Sequence, residues 1–126
     1  MDRFKFRMWE IKENKYRKES IVDLQAIFSL SEPSDYFIIE QCTGLKAKKS
    51  YRGTKENDLL IFEGDIVFAT WKTYVEKAEI VNFCNYGWAI DMGSKYYPKC
   101  KEGWVEMINS NMKFEIIGTI HDKDTP

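Results

Sequence analysis

With 126 residues, 44% of them hydrophobic, the chain has the size of one domain and can bury a core of its own. Its 19 Lys and Arg against 20 Asp and Glu leave a net charge of -1, which excludes a global pull toward nucleic acid or anionic membrane and confines any polyanion partner to a local patch. Three widely spaced cysteines, Cys42, Cys84 and Cys100, and a single histidine write neither a disulfide framework nor a zinc site, and fit reduced thiols in a cytoplasmic protein.

The N-terminus places charge at alternate positions in Met1-Asp2-Arg3-Phe4-Lys5-Phe6-Arg7, where a signal peptide needs an apolar run. No stretch approaches the roughly 18 apolar residues of a membrane span, so no membrane partner is expected. An aromatic share of 15% and many β-branched residues favour sheet over helix. Phe4, Phe6 and Met8 alternate with Lys5, Arg7 and Trp9, the pattern of a first strand with one wet face. A turn is expected at Glu13-Asn14-Lys15. Short strands follow around Ile21-Val22 and Ala26-Ile27-Phe28, although Val22–Phe28 also fits two helical turns. Ser31-Glu32-Pro33-Ser34-Asp35 reads as a loop and Tyr36–Gln41 as a buried strand. Thr43-Gly44-Leu45-Lys46 lacks the glycine spacing of a phosphate loop and reads as a turn. The polar run from Ala47 to Asp58 reads as a long exposed connection.

Leu59–Phe62 returns to the core, and Glu63-Gly64-Asp65 launches the central strand, Ile66–Trp71. Gly64 supplies a positive φ without a Cβ penalty and Asp65 holds turn amides, a structural role for both. As a catalytic pair Glu63 and Asp65 have no neighbour in sequence that serves as base, nucleophile or metal ligand. Both faces of the central strand are apolar, so it is expected to be covered on both sides. Val75–Cys84 forms its antiparallel partner. Trp88–Asp91 and Trp104–Ile108 are further short strands, and Lys113–His121 is the last, with Gly118 marking a bulge or a close backbone approach. Short strands at this spacing predict one all-β domain over residues 1–126 that closes into a small barrel.

Three segments carry a family resemblance: Phe6-Arg7-Met8-Trp9-Glu10, then Gln41-Cys42-Thr43-Gly44-Leu45-Lys46 joined to Phe62-Glu63-Gly64-Asp65-Ile66-Val67, and Ile116-Ile117-Gly118-Thr119-Ile120-His121-Asp122. In order and spacing they resemble the YopX family of bacteriophage and prophage proteins. The resemblance implies a mainly β protein that associates with itself and has no established biochemical activity. It also implies an N-terminal β part, about residues 1–58, packed on an SH3-like barrel at about 59–122. The link from Lys46 to Phe62 departs from the family pattern, being a longer basic run where a short Lys-Asn-Gly turn is expected. Tyrosine is also common in the family where Cys42 and Phe62 stand.

Lys46, Lys48, Lys49, Arg52 and Lys55 surround Tyr51, the residue types that neutralise phosphates and stack on a base, so this loop is the candidate nucleic-acid contact. A solvated loop balanced by Glu56 and Asp58 is the plainer reading. His121 stands beside Asp122, a pairing that orients an imidazole, yet no nucleophile is near in sequence and a structural histidine is expected. Cys84 and Cys100 read as small core residues. Trp9, Trp71, Trp88 and Trp104 exceed what a barrel of this size centres, with about two expected in the core. Trp71, Trp88, Trp104, Tyr96 and Tyr97 are therefore the candidate interaction residues. The expected function is a phage accessory protein that binds a phage or host protein or a second copy of itself, without catalysis, metal or cofactor.

Overall fold

Gly64 turns the chain with φ at 86°, and the Asp65 carboxylate accepts a hydrogen bond from the Phe62 amide at 2.8 Å, closing the turn from its far side. In the structure, a computed structural model, residues 5–16, 22–23, 37–51, 53, 56–82, 87–93 and 104–122 are described. Among the described residues the strands in order are β1 (Lys5–Glu10), β2 (Lys15–Tyr16), β3 (Val22–Asp23), β4 (Phe37–Lys46), β5 (Lys49–Ser50), β6 (Leu60–Phe62), β7 (Asp65–Trp71), β8 (Tyr74–Asn82), β9 (Trp88–Asp91), β10 (Val105–Met107) and β11 (Lys113–Thr119). A 3₁₀ turn, Glu56–Leu59, precedes β6. The fold is all-β. The expected elements at Ala26–Phe28 and Ser31–Asp35 lie outside the described residues.

Two sheets result. One has the order β2-β1-β4-β6 with β3 also on β1, and the other runs β10-β9-β8-β7-β11-β5. The chain crosses between them at the Glu63-Gly64 turn, which joins β6 to β7. Within the second sheet, β7 and β8 form the expected hairpin, in register from Ile66↔Glu79 to Trp71↔Tyr74. The bulge expected at Gly118 is present as a register shift between Ile116 and Gly118. The main core lies on the inner face of this sheet, where Val67, Ala69, Trp71, Ala78, Ile80, Ile90, Phe114 and Ile116 pack with Ile61, Met92 and Met112. Period two puts them on one side of their strands.

Four expectations are corrected. β7 is covered on both faces only in its first half, since Phe68 and Thr70 are exposed. The face of β1 that carries Arg7 is not wet: Arg7 is 3% exposed, because counter-charges from distant strands make its burial tolerable. Thr43–Lys46 is no turn. Gly44, with φ at 83°, takes up a register shift against β6 between Cys42 and Lys46, so the strand continues through a bulge. The basic stretch after it is no free connection either. Ala47 and Ser50 are buried, the Lys48 and Tyr51 amides donate to the Phe114 and Ile116 carbonyls at 2.8 and 2.9 Å, and β5 lies parallel to β11.

Candidate functional site

Where the two sheets meet, five charged or polar side chains from five parts of the chain converge. β1 contributes Arg7, β2 Tyr16, β4 Glu40, the start of β7 Asp65, and the turn after β11 His121. Their backbones arrive there by sheet pairing. Arg7 lies opposite Glu40 across the β1/β4 ladder, and the Gly64 carbonyl accepts from the Ile120 amide at 2.9 Å, which brings the C-terminal turn beside the Glu63-Gly64 turn.

Arg7 is the hub. Its Nε donates to Glu40 Oε1 at 2.6 Å, its Nη1 stands 2.9 Å from Asp65 Oδ1, and its Nη2 donates to the Glu63 carbonyl at 3.2 Å. The guanidinium also lies over the Tyr16 ring at 4.6 Å and the Phe62 ring at 4.8 Å. Glu40 is the second hub. Oε1 accepts from Tyr16 Oη at 2.8 Å as well as from Arg7, and Oε2 is 2.8 Å from His121 Nε2. Trp9 then caps the group, stacked on the His121 ring at 4.1 Å with 5° between planes and meeting Tyr16 edge-on at 4.9 Å.

Burial decides the electrostatics. It works against the Arg7 charge, but the fields of Asp65, Tyr16 and Glu40 outweigh it and the guanidinium is held above its ordinary range. Burial pushes the Tyr16 phenol well up, with Glu40 adding to the effect and Arg7 opposing it, so the hydroxyl stays protonated and donates. Burial likewise raises the Glu63 carboxyl, aided by Glu40 and opposed by the Gln41 backbone hydrogen bond and by Arg7. Such a group is costly to assemble and costly to break, because each charge is desolvated and depends on partners within the cluster for compensation.

This cluster was not legible from spacing. Arg7 and Glu40 are 33 residues apart, and His121 and Glu40 81. The available signal was an arginine and a glutamate each set among apolar residues inside a strand, which a solvated strand does not require. The carboxylate that orients the His121 imidazole is that of Glu40, while Asp122 Oδ2 accepts from the Thr119 amide at 2.9 Å.

The other candidate residues are scattered. Trp71 is 5% exposed in the main core, which corrects its placement on a free surface. Trp88 and Trp104 are half-buried against that core, with Trp71, Tyr74 and Trp104 in mutual ring contact at 5.4 to 5.9 Å. Lys46, Lys48 and Lys49 are exposed, and Lys49 Nζ lies 4.6 Å over the ring of Tyr51, itself 59% exposed. Cys42 is fully buried. Tyr96, Tyr97, Arg52, Lys55, Cys84 and Cys100 lie outside the described residues. Among the described residues no helix is long and apolar enough to cross a membrane.

The three segments that carry the resemblance meet in this cluster, since Arg7 and Trp9 come from the first, Phe62 and Asp65 from the second and His121 from the third. No curated protein and no solved structure matches the chain. The family model described as YopX protein matches residues 5–125, nearly the whole length, and the chain belongs to the YopX family.

Proposed function

We propose that the chain is a non-catalytic protein-interaction module that associates with itself, an accessory protein of a phage or prophage working in the cytoplasm of the bacterial host. The observation that carries this reading is the outer face of the six-stranded sheet. There Phe68 (38% exposed), Val75 (63%), Val105 (42%) and Met107 (38%) stand among charged neighbours on one side of the strands. Catalysis is disfavoured by what the polar cluster does with its groups: Arg7, Tyr16, Glu40, Asp65 and His121 are engaged with one another. In the same reading the strands of about 59–122 form an SH3-like barrel and those of about 1–58 pack on it. Light scattering across micromolar concentrations tests the proposal. Oligomers are expected, and a strict monomer at every concentration would contradict it.

A second reading rests on the exposed Tyr51 ring under the Lys49 ammonium, beside exposed Lys46 and Lys48. A ring and cations so placed suit a nucleobase and its phosphates. This reading expects steeply salt-dependent DNA binding that is lost when Lys48, Lys49 and Arg52 are all replaced by alanine. No binding at low salt would end it.

A further inference from the structure

The six-stranded sheet ends on β10 at one side and β5 at the other, and the two edges differ in a way that bears on what can join them. A strand edge carries unpaired amides and carbonyls, which proteins blunt with lysines, short length or cover. At the β5 edge, two residues long, Lys48 and Lys49 are exposed beside the strand. In the other sheet β1 is covered along its outer side by β2 and β3, and β6 is wholly buried. Of the two strands that end the six-stranded sheet, β10 presents apolar side chains to solvent, Val105 and Met107, where β5 presents lysine.

Its backbone is oriented for pairing. Trp104 exchanges hydrogen bonds with Met92 at 2.6 and 3.1 Å, and the Ile108 amide donates to Trp88 at 3.1 Å. Antiparallel alternation makes Glu106, opposite Ile90, the inward-bonding residue between them. The amides and carbonyls of Val105 and Met107 therefore point away from β9, and no described strand lies beyond them.

We infer that β10 is the surface on which a second copy of this chain adds, β10 against β10 antiparallel about a two-fold axis at Val105. This rests on the self-association reading and names the surface that serves it. The occupant is a second copy because Trp104-Val105-Glu106 is its own complement when reversed. Val105 then exchanges hydrogen bonds with its symmetry mate, and each Glu106 carboxylate comes opposite the other chain's Trp104. Within one chain, Glu106 Oε2 already accepts from the Trp104 indole nitrogen at 3.2 Å, so the pair that crosses the axis is a donor and an acceptor. Centring the axis on Glu106 instead would put two carboxylates face to face, which is destabilising. The net charge of -1 sets no barrier to two copies meeting.

Charge reversal at the axis tests the assignment. Val105 is exposed, so Val105→Lys and Val105→Asp should leave the fold intact, as circular dichroism and thermal unfolding would verify. Each variant alone places like charges on the axis and should weaken self-association at least about tenfold. Mixed in equal amounts, the two should associate again, as read by sedimentation. Val105→Pro supplies an independent check: the lost N–H points outward, so the proline removes an edge donor without removing a bond to β9. Wild-type chain that associates while all three variants associate equally well overturns the β10 assignment and leaves self-association standing. Wild-type chain that is monomeric throughout overturns both.

Discussion

Arg7→Met should lower the stability of the folded chain by about 3–5 kcal/mol, the cost of leaving buried charge uncompensated. Methionine replaces much of the arginine stem, so the loss falls on Glu40 and Asp65, which keep their burial and lose their cation. Set against a total of about 5–15 kcal/mol for a domain, that is enough to leave a substantial unfolded fraction near growth temperature. Urea unfolding followed by tryptophan fluorescence measures it. The triple variant Arg7→Met/Glu40→Gln/Asp65→Asn removes all three charges and keeps acceptors for the Tyr16 hydroxyl and the Phe62 amide. It should be more stable than Arg7→Met alone, because isolated charge and not lost volume is the source of the damage. Equal stability of the two variants would place the cost in packing.

Gly64→Ala should cost about 2–4 kcal/mol, from two separable sources. The backbone φ of 86° is strained for any residue with a Cβ, at about 1–2 kcal/mol. A Cβ there would also stand 2.7 Å from Glu40 Oε2, so the carboxylate must withdraw from the position in which it meets His121. Gly87→Ala is the control. Its φ is 99°, with no described atom within 4 Å of the added carbon, so it bears the backbone cost alone. The difference between the two variants in thermal or urea unfolding isolates what displacing Glu40 costs. If both lose the same amount, the Gly64 turn and the charge cluster are not coupled.

What could be read in the chain divides along a physical line. β7, β8, β9 and β11 were legible because each is an alternating or apolar run bounded by turn residues, and local periodicity is a property of neighbours in sequence. β4 extends past its apolar run, because a glycine with positive φ serves a bulge as readily as a turn and only the partner strand decides which. The basic run after it has the composition of a solvated loop, yet its backbone hydrogen bonds go to β11, more than sixty residues further on. Arg7 is hidden from local pattern for the same reason. A cation at an alternate strand position is ordinarily exposed, and the carboxylates that permit its burial come from β4 and β7. For His121 the acid beside it in sequence is Asp122, whereas the acid that holds it is Glu40. The resemblance pointed to the right segments, each containing a member of the cluster, without saying that they touch.

Arg7 and His121 each bond to one oxygen of the Glu40 carboxylate, and this shared acid links the N-terminal strands to the C-terminal turn. A double-mutant cycle of Arg7→Met and His121→Ala, read by urea unfolding, measures that join directly. The two losses should fall short of additivity by at least about 1 kcal/mol, as expected for residues in one network. Losses that add to within about 0.3 kcal/mol would mean that the two ends of the chain are held independently, and the cluster would not be a single unit.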